Sequence, residues 1–249
     1  MSNVRQDKIM NLIESNEVIT IKQIQSMFPD ISVMTIHRDL DALASRGHLV
    51  KIRGGARAIH CASETQFDVR ERENPEGKSV IAKKALQMIQ PGSSIFIDAG
   101  TTSLMLARAL PDINLTVFTT APNIALELCH LVKPSINLCC GNLNRSNLAV
   151  SGYKTLEILE SINIDLAFVG VSGCSLAKGL TCGNETEMLV KRHVIRHART
   201  SVALCDSSKL TRLLPFTFAH LSEVDCIITD GAFPEAFLEG TRQSGVTVL

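Results

Sequence analysis

Ser94–Ser103, SIFIDAGTTS, is the stretch on which the reading of the chain turns. Ile95–Asp98 form a short apolar strand with Asp98 at its exit, and Ala99-Gly100-Thr101-Thr102 turn directly into a helix whose apolar side is Leu104, Leu106, Ala107 and Leu110. A small turn of this kind presents backbone N–H groups and two hydroxyls at a positive helix end, which suits a phosphate or another anion. A plain βα turn with threonine as N-cap fits the same residues. Ten residues do not choose between the two, because a short turn carries less information than a full nucleotide fingerprint.

C-terminal to this stretch, strand and helix patterns alternate. Apolar strand-like runs fall at 95–98, 115–119, 136–140, 166–171, 202–205, 226–229 and 246–248, with helical patterns at 103–110, 122–131, 153–160, 184–199 and 234–243. Nearly continuous apolar strands separated by helices imply a mostly parallel sheet covered on both faces. Ligands on such sheets sit beyond the carboxyl ends of the strands. The candidates are therefore Asp98–Thr102, Thr119-Thr120, Gly141-Asn142, Ser172-Gly173 and Asp206–Lys209.

N-terminal to it, residues 60–77 are polar and broken by Pro75 and Gly77, reading as a linker with at most one short charged helix. Before that, three helical patterns precede a hairpin. Thr20 is placed to cap the second helix, Pro29-Asp30 stop it, Ser32 caps the third, and Gly47 ends it. Two short helices joined by a tight turn form a helix-turn-helix layout. Helical spacing sends Ile36, Leu40 and Leu43 of the third helix to the core. Met34, Thr35, His37 and Arg38 then face outward at the end that enters a major groove, where arginine is the commonest reader of guanine. HLVKIRGGARAI reads as two short strands around Gly54-Gly55, a basic wing placed along a phosphate backbone or in the minor groove; taken alone it reads rather as an ordinary surface hairpin, and the preceding helices make it a wing.

The chain has 249 residues and a net charge of zero, but residues 32–57 carry a net +3 and residues 58–249 a net −2. That asymmetry points to a nucleic-acid contact at one end. One Tyr, no Trp and nine Phe leave no aromatic platform for unpaired bases. MSNVRQDK lacks an apolar stretch, so no signal peptide is expected, and no apolar run approaches the roughly 18 residues of a membrane span. The eight cysteines (61, 129, 139, 140, 174, 182, 205 and 226) show no CxxC spacing and read as buried free thiols of a reducing cytoplasm rather than a zinc site. No metal and no cofactor is expected.

With these motifs in order, the sequence resembles the DeoR family of transcriptional repressors over nearly its whole length. SVMTIHRDLDALASRGHLVKIRGGA (32–56) resembles the family's recognition helix and wing, and KSVIAKKALQMIQPGSSIFIDAGTT (78–102) the opening of its effector domain. Phe118–Asn123, Phe168–Gly173, ETEMLVK (185–191) and Asp206–Lys209 follow in the family's order. The resemblance implies an effector domain similar to ribose-5-phosphate isomerase and a response to phosphorylated sugars or related metabolites. Three departures stand out. His37 replaces the first of two arginines in the recognition helix, Pro29-Asp30-Ile31 lengthen the turn before Ser32, and Cys140 replaces a glycine before Asn142. The first two bear on operator sequence and the third on pocket shape.

A sugar-phosphate isomerase carrying a DNA-binding module is the rival reading. Isomerisation needs a general base near the carbon-bound proton. The loop after the strand at 166–171, Gly170–Ser175, has no acid, and Asp165 lies at that strand's other end. Glu185 and Glu187, two apart on a helix, point to different faces, so at most one can enter the pocket. Glu187 and Lys191 read either as a surface i, i+4 pair or as partners of sugar hydroxyls and phosphate; Lys209, after a strand exit and two hydroxyl residues, is the better phosphate partner. A protein-interaction scaffold would leave the basic wing unexplained.

The fold expected is a small α+β winged helix-turn-helix domain (residues 1–58), a linker (59–77) and an α/β effector domain with a mostly parallel sheet (78–249). The expected DNA contacts are Thr20, Ser32, Met34, Thr35, His37, Arg38, Lys51, Arg53 and Arg57. The expected effector contacts are Asp98, Gly100, Thr101, Thr102, Thr119, Ser172, Gly173, Glu187, Lys191 and Lys209. Double-stranded operator DNA, a phosphorylated sugar and further copies of the chain are the expected partners, because one recognition helix reads too few base pairs to be specific.

Overall fold

A computed structural model of the chain describes all residues except 1, 17, 46–48, 59 and 62–65. At the N-terminus, helices α1 (Ser2–Asn16), α2 (Ile21–Met27) and α3 (Val33–Ser45) pack with an antiparallel sheet of β1 (Val18–Thr20), β2 (Leu49–Ile52) and β3 (Gly55–Ala58), in the order β1-β3-β2. Ile9, Ile13, Ile24, Ile36, Leu40 and Leu43 share one buried cluster with Leu49 and Ala56, so the helical spacing read from the sequence does set the core. Thr20 caps α2 through a reciprocal pair: its Oγ1 accepts from Gln23 N–H and its own N–H donates to Gln23 Oε1. Ser32 Oγ likewise accepts from Thr35 N–H at 3.2 Å and starts α3. Strand β1 was not legible, being three residues pressed between two helices. Its pairing also explains Gly55, where a Cβ would lie 1.9 Å from the carbonyl oxygen of Ile19. The expected helix end at Gly47 lies outside the described residues.

The chain continues through β4 (His60–Cys61), α4 (Phe67–Arg72) and α5 (Pro75–Leu86). The second half of the stretch read as linker is thus structured: Phe67 is buried in the C-terminal domain's core, and Pro75 opens α5 with Gly77 and Lys78 buried within it. Next come β5 (Ser94–Ile97), α6 (Thr101–Arg108), β6 (Thr116–Thr119), α7 (Pro122–Leu128), β7 (Ser135–Leu138), the hairpin β8 (Asn142–Asn144) and β9 (Ala149–Ser151), and α8 (Tyr153–Glu160). The remainder is β10 (Leu166–Gly170), β11 (Gly173–Ser175), β12 (Gly179–Cys182), α9 (Glu185–His197) and β13 (Thr200–Leu204). A 3-10 turn (Ser207–Thr211), β14 (Arg212–Leu213), β15 (Phe216–Ala219), β16 (Cys226–Ile228), α10 (Glu235–Gln243) and β17 (Thr247–Val248) complete it.

Seven strands form one sheet, ordered β17-β16-β13-β10-β5-β6-β7, and every neighbouring pair is parallel. These are the seven apolar runs of the sequence. Alternate residues feed different cores: Ile95, Ile97, Leu166 and Phe168 join one cluster, Phe96, Ala167 and Val169 the other. Both faces of the central strands are therefore covered, which is why they read as nearly continuous apolar runs; the edge strand β7 (SINL) is largely exposed. The small antiparallel sheet β11-β12-β15, the β8–β9 hairpin and the parallel pairing of β14 with β4 were not foreseen. Among the described residues, no helix is long and apolar enough to cross a membrane.

Candidate functional site

At the carboxyl ends of β5 and β10 lies a cavity of about 20 Å³, lined by Arg70, Ala99, Gly100, Thr101, Thr102, Gly170, Val171, Ser172, Lys191 and Lys209. Gly100 is the N-cap of α6; its φ of 149° lies in the region that favours glycine, and no side-chain oxygen caps the helix. The first-turn amides of α6 thus keep their donors for an anion entering from the cavity. Threonine is not the cap here. Of the two readings of this turn, the geometry favours the open, anion-accepting one.

Two lysines reach the cavity in different ways. Lys191, on α9, is 1% exposed. Its Nζ donates to Asp98 Oδ2 and to the carbonyl of Gly170 (2.8 Å), and lies 3.1 Å from Glu187 Oε1. Burial disfavours its charge, but the Asp98 and Glu187 carboxylates outweigh that and hold its pKa above the usual lysine value. Reading Glu187 and Lys191 as a surface pair is therefore corrected: the pair is buried, because Asp98 arrives from β5 to meet it. Asp98 also accepts from Gly170 N–H (3.0 Å), and Glu187 Oε2 accepts from Asn147 (2.9 Å) and Asn184 (3.2 Å). Neither carboxylate lines the cavity.

Lys209 sits in the 3-10 turn after β13, which Asp206 opens by accepting from Ser208 N–H. It is 5% exposed, yet its Nζ stands 3.7 Å from Asp206 Oδ2 and 3.8 Å from Glu73 Oε2, beyond hydrogen-bond length in both cases. Beside it, Arg70 comes in from α4, its guanidinium 5.9 Å from the Phe67 ring. Lys78, 1% exposed, donates to the carbonyls of Arg70 and Glu73 and so fastens the end of α4 over the site. Burial first, and then the Lys209 charge, pull the Lys78 pKa down to about 8. Sequence reasoning missed Arg70, Glu73 and Lys78. The one signal was Phe67, a lone aromatic in a polar run.

Of the ten expected effector contacts, the cavity gathers Gly100, Thr101, Thr102, Ser172, Lys191 and Lys209. Thr119 instead accepts from Ala121 N–H (3.1 Å) and fixes the turn after β6. Gly173 is a packing residue: a Cβ there would lie 2.5 Å from the carbonyl oxygen of Arg212.

On the N-terminal domain, Met34 is 67% exposed and Arg38 is exposed, while Thr35 and His37 are half-buried. Asp39, next to Arg38, turns inward to accept from Arg5 and Gln6, so it does not neutralise the outer face. Arg53 and Arg57 are exposed on the hairpin; Lys51 is paired with Asp41 at 2.6 Å. The Thr20 and Ser32 hydroxyls are engaged as caps.

The described cysteines form no disulfides, and Cys139, Cys174, Cys182, Cys205 and Cys226 are buried. Cys129 and Cys140 are exposed, contrary to the expectation of buried thiols: Cys129 follows the last residue of α7, and Cys140 follows the edge strand β7. The Cys61 side chain lies outside the described residues. No group of three or more metal-ligating side chains occurs among the described residues.

The ribose 5-phosphate isomerase from Methanocaldococcus jannaschii is similar over 57% of this chain and 56% of that chain, at 17% identity and a TM-score of 0.41. The transcriptional repressor GlcR of Bacillus subtilis is 31% identical, covering 97% of this chain and 93% of that protein. The L-fucose operon activator of Escherichia coli is 30% identical, covering 92% and 96%. Residues 5–62 match the DeoR-like helix-turn-helix domain and residues 73–231 the DeoR C terminal sensor domain. The chain belongs to the DeoR family of DNA-binding transcriptional regulators.

Proposed function

We propose that the chain represses a sugar-catabolic operon in the cytoplasm, and that a phosphorylated sugar bound in the cavity releases it from the operator. The observation that carries this reading is the convergence of Lys209, Arg70 and the uncapped first turn of α6 on one cavity: two cations and a row of amide donors suit a phosphate. The Ser172 and threonine hydroxyls there suit sugar oxygens. In the DNA-binding domain, Met34, Thr35, His37 and Arg38 face base edges and Lys51, Arg53 and Arg57 face phosphates, with Thr20 and Ser32 at the helix starts that meet the DNA. Copies of the chain pair to read two half-sites. The likeness to the GlcR repressor supports the direction of control; the likeness to an L-fucose operon activator supports activation as a second reading.

Binding without turnover completes the reading. No carboxylate is among the cavity-lining residues, and Glu187 is held by Lys191 and two asparagines. The carboxylates nearest the cavity, Glu73 and Asp206, stand against the Lys209 ammonium as counter-ions rather than open to a carbon-bound proton, which is where a general base for aldose–ketose exchange would have to be. The expected result with ribose 5-phosphate or glucose 6-phosphate is no isomerisation.

Operator fragments selected by the protein from random DNA, titrated with and without a panel of phosphorylated sugars, test the function. One sugar phosphate should weaken operator binding about 5–150-fold, the range of a 1–3 kcal/mol coupling. Lys209→Met should stay folded, with a lowered melting temperature because buried Asp206 loses its counter-ion, and should keep operator affinity while losing this relief, with effector affinity down tenfold or more on the value of about 1.5–3 kcal/mol for a charged hydrogen bond. A folded Lys209→Met protein that releases DNA at the wild-type effector concentration would refute the assignment. A reporter that loses expression when the gene is deleted would favour the activator.

A further inference from the structure

We propose that Glu73 is a resident counter-ion that closes the anion site: its carboxylate holds Lys209 and Arg212 while the cavity is empty, and the phosphate of an incoming ligand displaces it. This rests on the reading of Lys209 as the phosphate partner and adds a gate to it.

The two oxygens of Glu73 are unequally engaged. Oε1 accepts from Arg212 Nη2 at 3.1 Å, whereas Oε2 lies 3.8 Å from Lys209 Nζ. Oε2 is buried and, among the described residues, has no hydrogen-bond donor; the same holds for Asp206 Oδ2, 3.7 Å from Lys209. Lys209 is therefore neutralised by two carboxylates without being bonded by either. Lys191, which also lines the cavity, is held by Asp98, Gly170 and Glu187 and has no capacity to spare. A phosphate dianion offers Lys209 a shorter, charge-assisted bond than a carboxylate at ion-pair distance.

The cavity has room for little more than one water, so a ligand enters only if its surroundings move, and the two carboxylates next to its lining residue Lys209 are Asp206 and Glu73. Asp206 is tied to the turn it caps and its side chain is fully buried. The Glu73 side chain is 29% exposed and stands at the end of α4, free to swing to solvent. Lys78 bonds the Glu73 carbonyl, so the backbone stays while the side chain leaves. Its departure frees Arg212 as a further cation for the phosphate. An uncharged sugar has nothing with which to displace a carboxylate, so Glu73 selects the phosphorylated form.

The test titrates the full-length protein with inorganic phosphate, following heat of binding and melting temperature, in wild type, Glu73→Gln, Lys209→Met and the double variant. Glu73→Gln should bind phosphate roughly three- to fivefold tighter, the upper part of the range for a partly exposed ion pair, and the gain should vanish on the Lys209→Met background. Should Glu73→Gln fail to fold, Glu73→Asp, one methylene short of Lys209, carries the same expectation. Unchanged or weaker binding by the Glu73 variants, with Lys209→Met still abolishing it, overturns the gate and leaves the anion site standing. A gain that persists without Lys209 also overturns the gate. Phosphate binding unchanged by Lys209→Met removes the site and the gate together, as does absence of binding in every variant.

Discussion

Arg38, Arg53 and Arg57 stand exposed on α3 and its hairpin, whereas Lys78, Lys191 and Lys209 in the C-terminal domain are each no more than 5% exposed. Exposed cations keep their hydration and act additively and salt-sensitively, as binding to a polyanion requires. Buried cations lose hydration and must be matched in place by carboxylates or carbonyls. Each buried lysine is thus committed to a partner, and how tightly decides its role. Lys191 is bonded on several sides and holds the sheet to α9; Lys78 holds a turn; Lys209, with counter-ions at arm's length, remains available. One residue type serves three ends because the geometry of its partners differs.

The contrast breaks most visibly at Lys191. Lys191→Met leaves Asp98 and Glu187 buried without their cation, and should cost about 3–5 kcal/mol in urea unfolding, against about 0.5 kcal/mol or less for Arg53→Ala on the surface. Equal midpoints for the two variants would show that the buried cluster is not structural. On the exposed side, Arg38→Ala should weaken binding to the selected operator by about 1–3 kcal/mol if it meets a base edge. Arg53→Ala should weaken all sequences alike and lower the slope of log affinity against log salt by about one. Anisotropy titrations at several salt concentrations separate them; a slope unchanged in Arg53→Ala takes the wing off the backbone.

The smallest effect sharpens the middle case. The Lys78 pKa falls from 10.5 to about 8, from burial and then from Lys209. Between those two values the unfolded chain binds the proton and the native chain does not, so stability contributed by this group rises with pH from about 8 toward 10.5 and is absent below 8. Deprotonation also removes a positive charge beside Lys209, so phosphate affinity should fall as pH passes about 8. Lys78→Arg, which stays charged, should flatten both trends; identical pH profiles by thermal shift and phosphate titration would exclude Lys78 as their source.

Much of the sensor fold was legible because its information is local. The strands of the central sheet are nearly continuous apolar runs, and α8 begins and ends where its periodicity does. The α2 and α3 caps follow from Thr20, Gln23 and Ser32 alone. The rest depends on contacts between distant residues. Glu187 and Lys191 have the spacing of a surface pair, and only Asp98, 93 residues earlier, makes them a buried cluster. Arg70 lies in QFDVRERENPEG, whose polarity reads as solvent; it is buried because Phe67 docks into the core and Lys78 ties down the following turn. Strands β1, β11 and β14 lie outside the alternation of apolar runs with helices that marks the main sheet, and at two or three residues they show no period of their own.

The pairing of β14 with β4 bears on modularity. Arg212 and Leu213 run alongside His60 and Cys61, so the strand that directly follows the Lys209 turn is laced to the segment leaving the winged hairpin. The two halves look exchangeable at the polar run between them, but the seam does not lie there. A chimaera joined just after residue 58 keeps the sensor's own residues 60 and 61 opposite its own β14, and should inherit both recognition and response. One joined after residue 61 brings a foreign strand to that pairing: each half would still fold and bind its ligand, while the message between them would be lost.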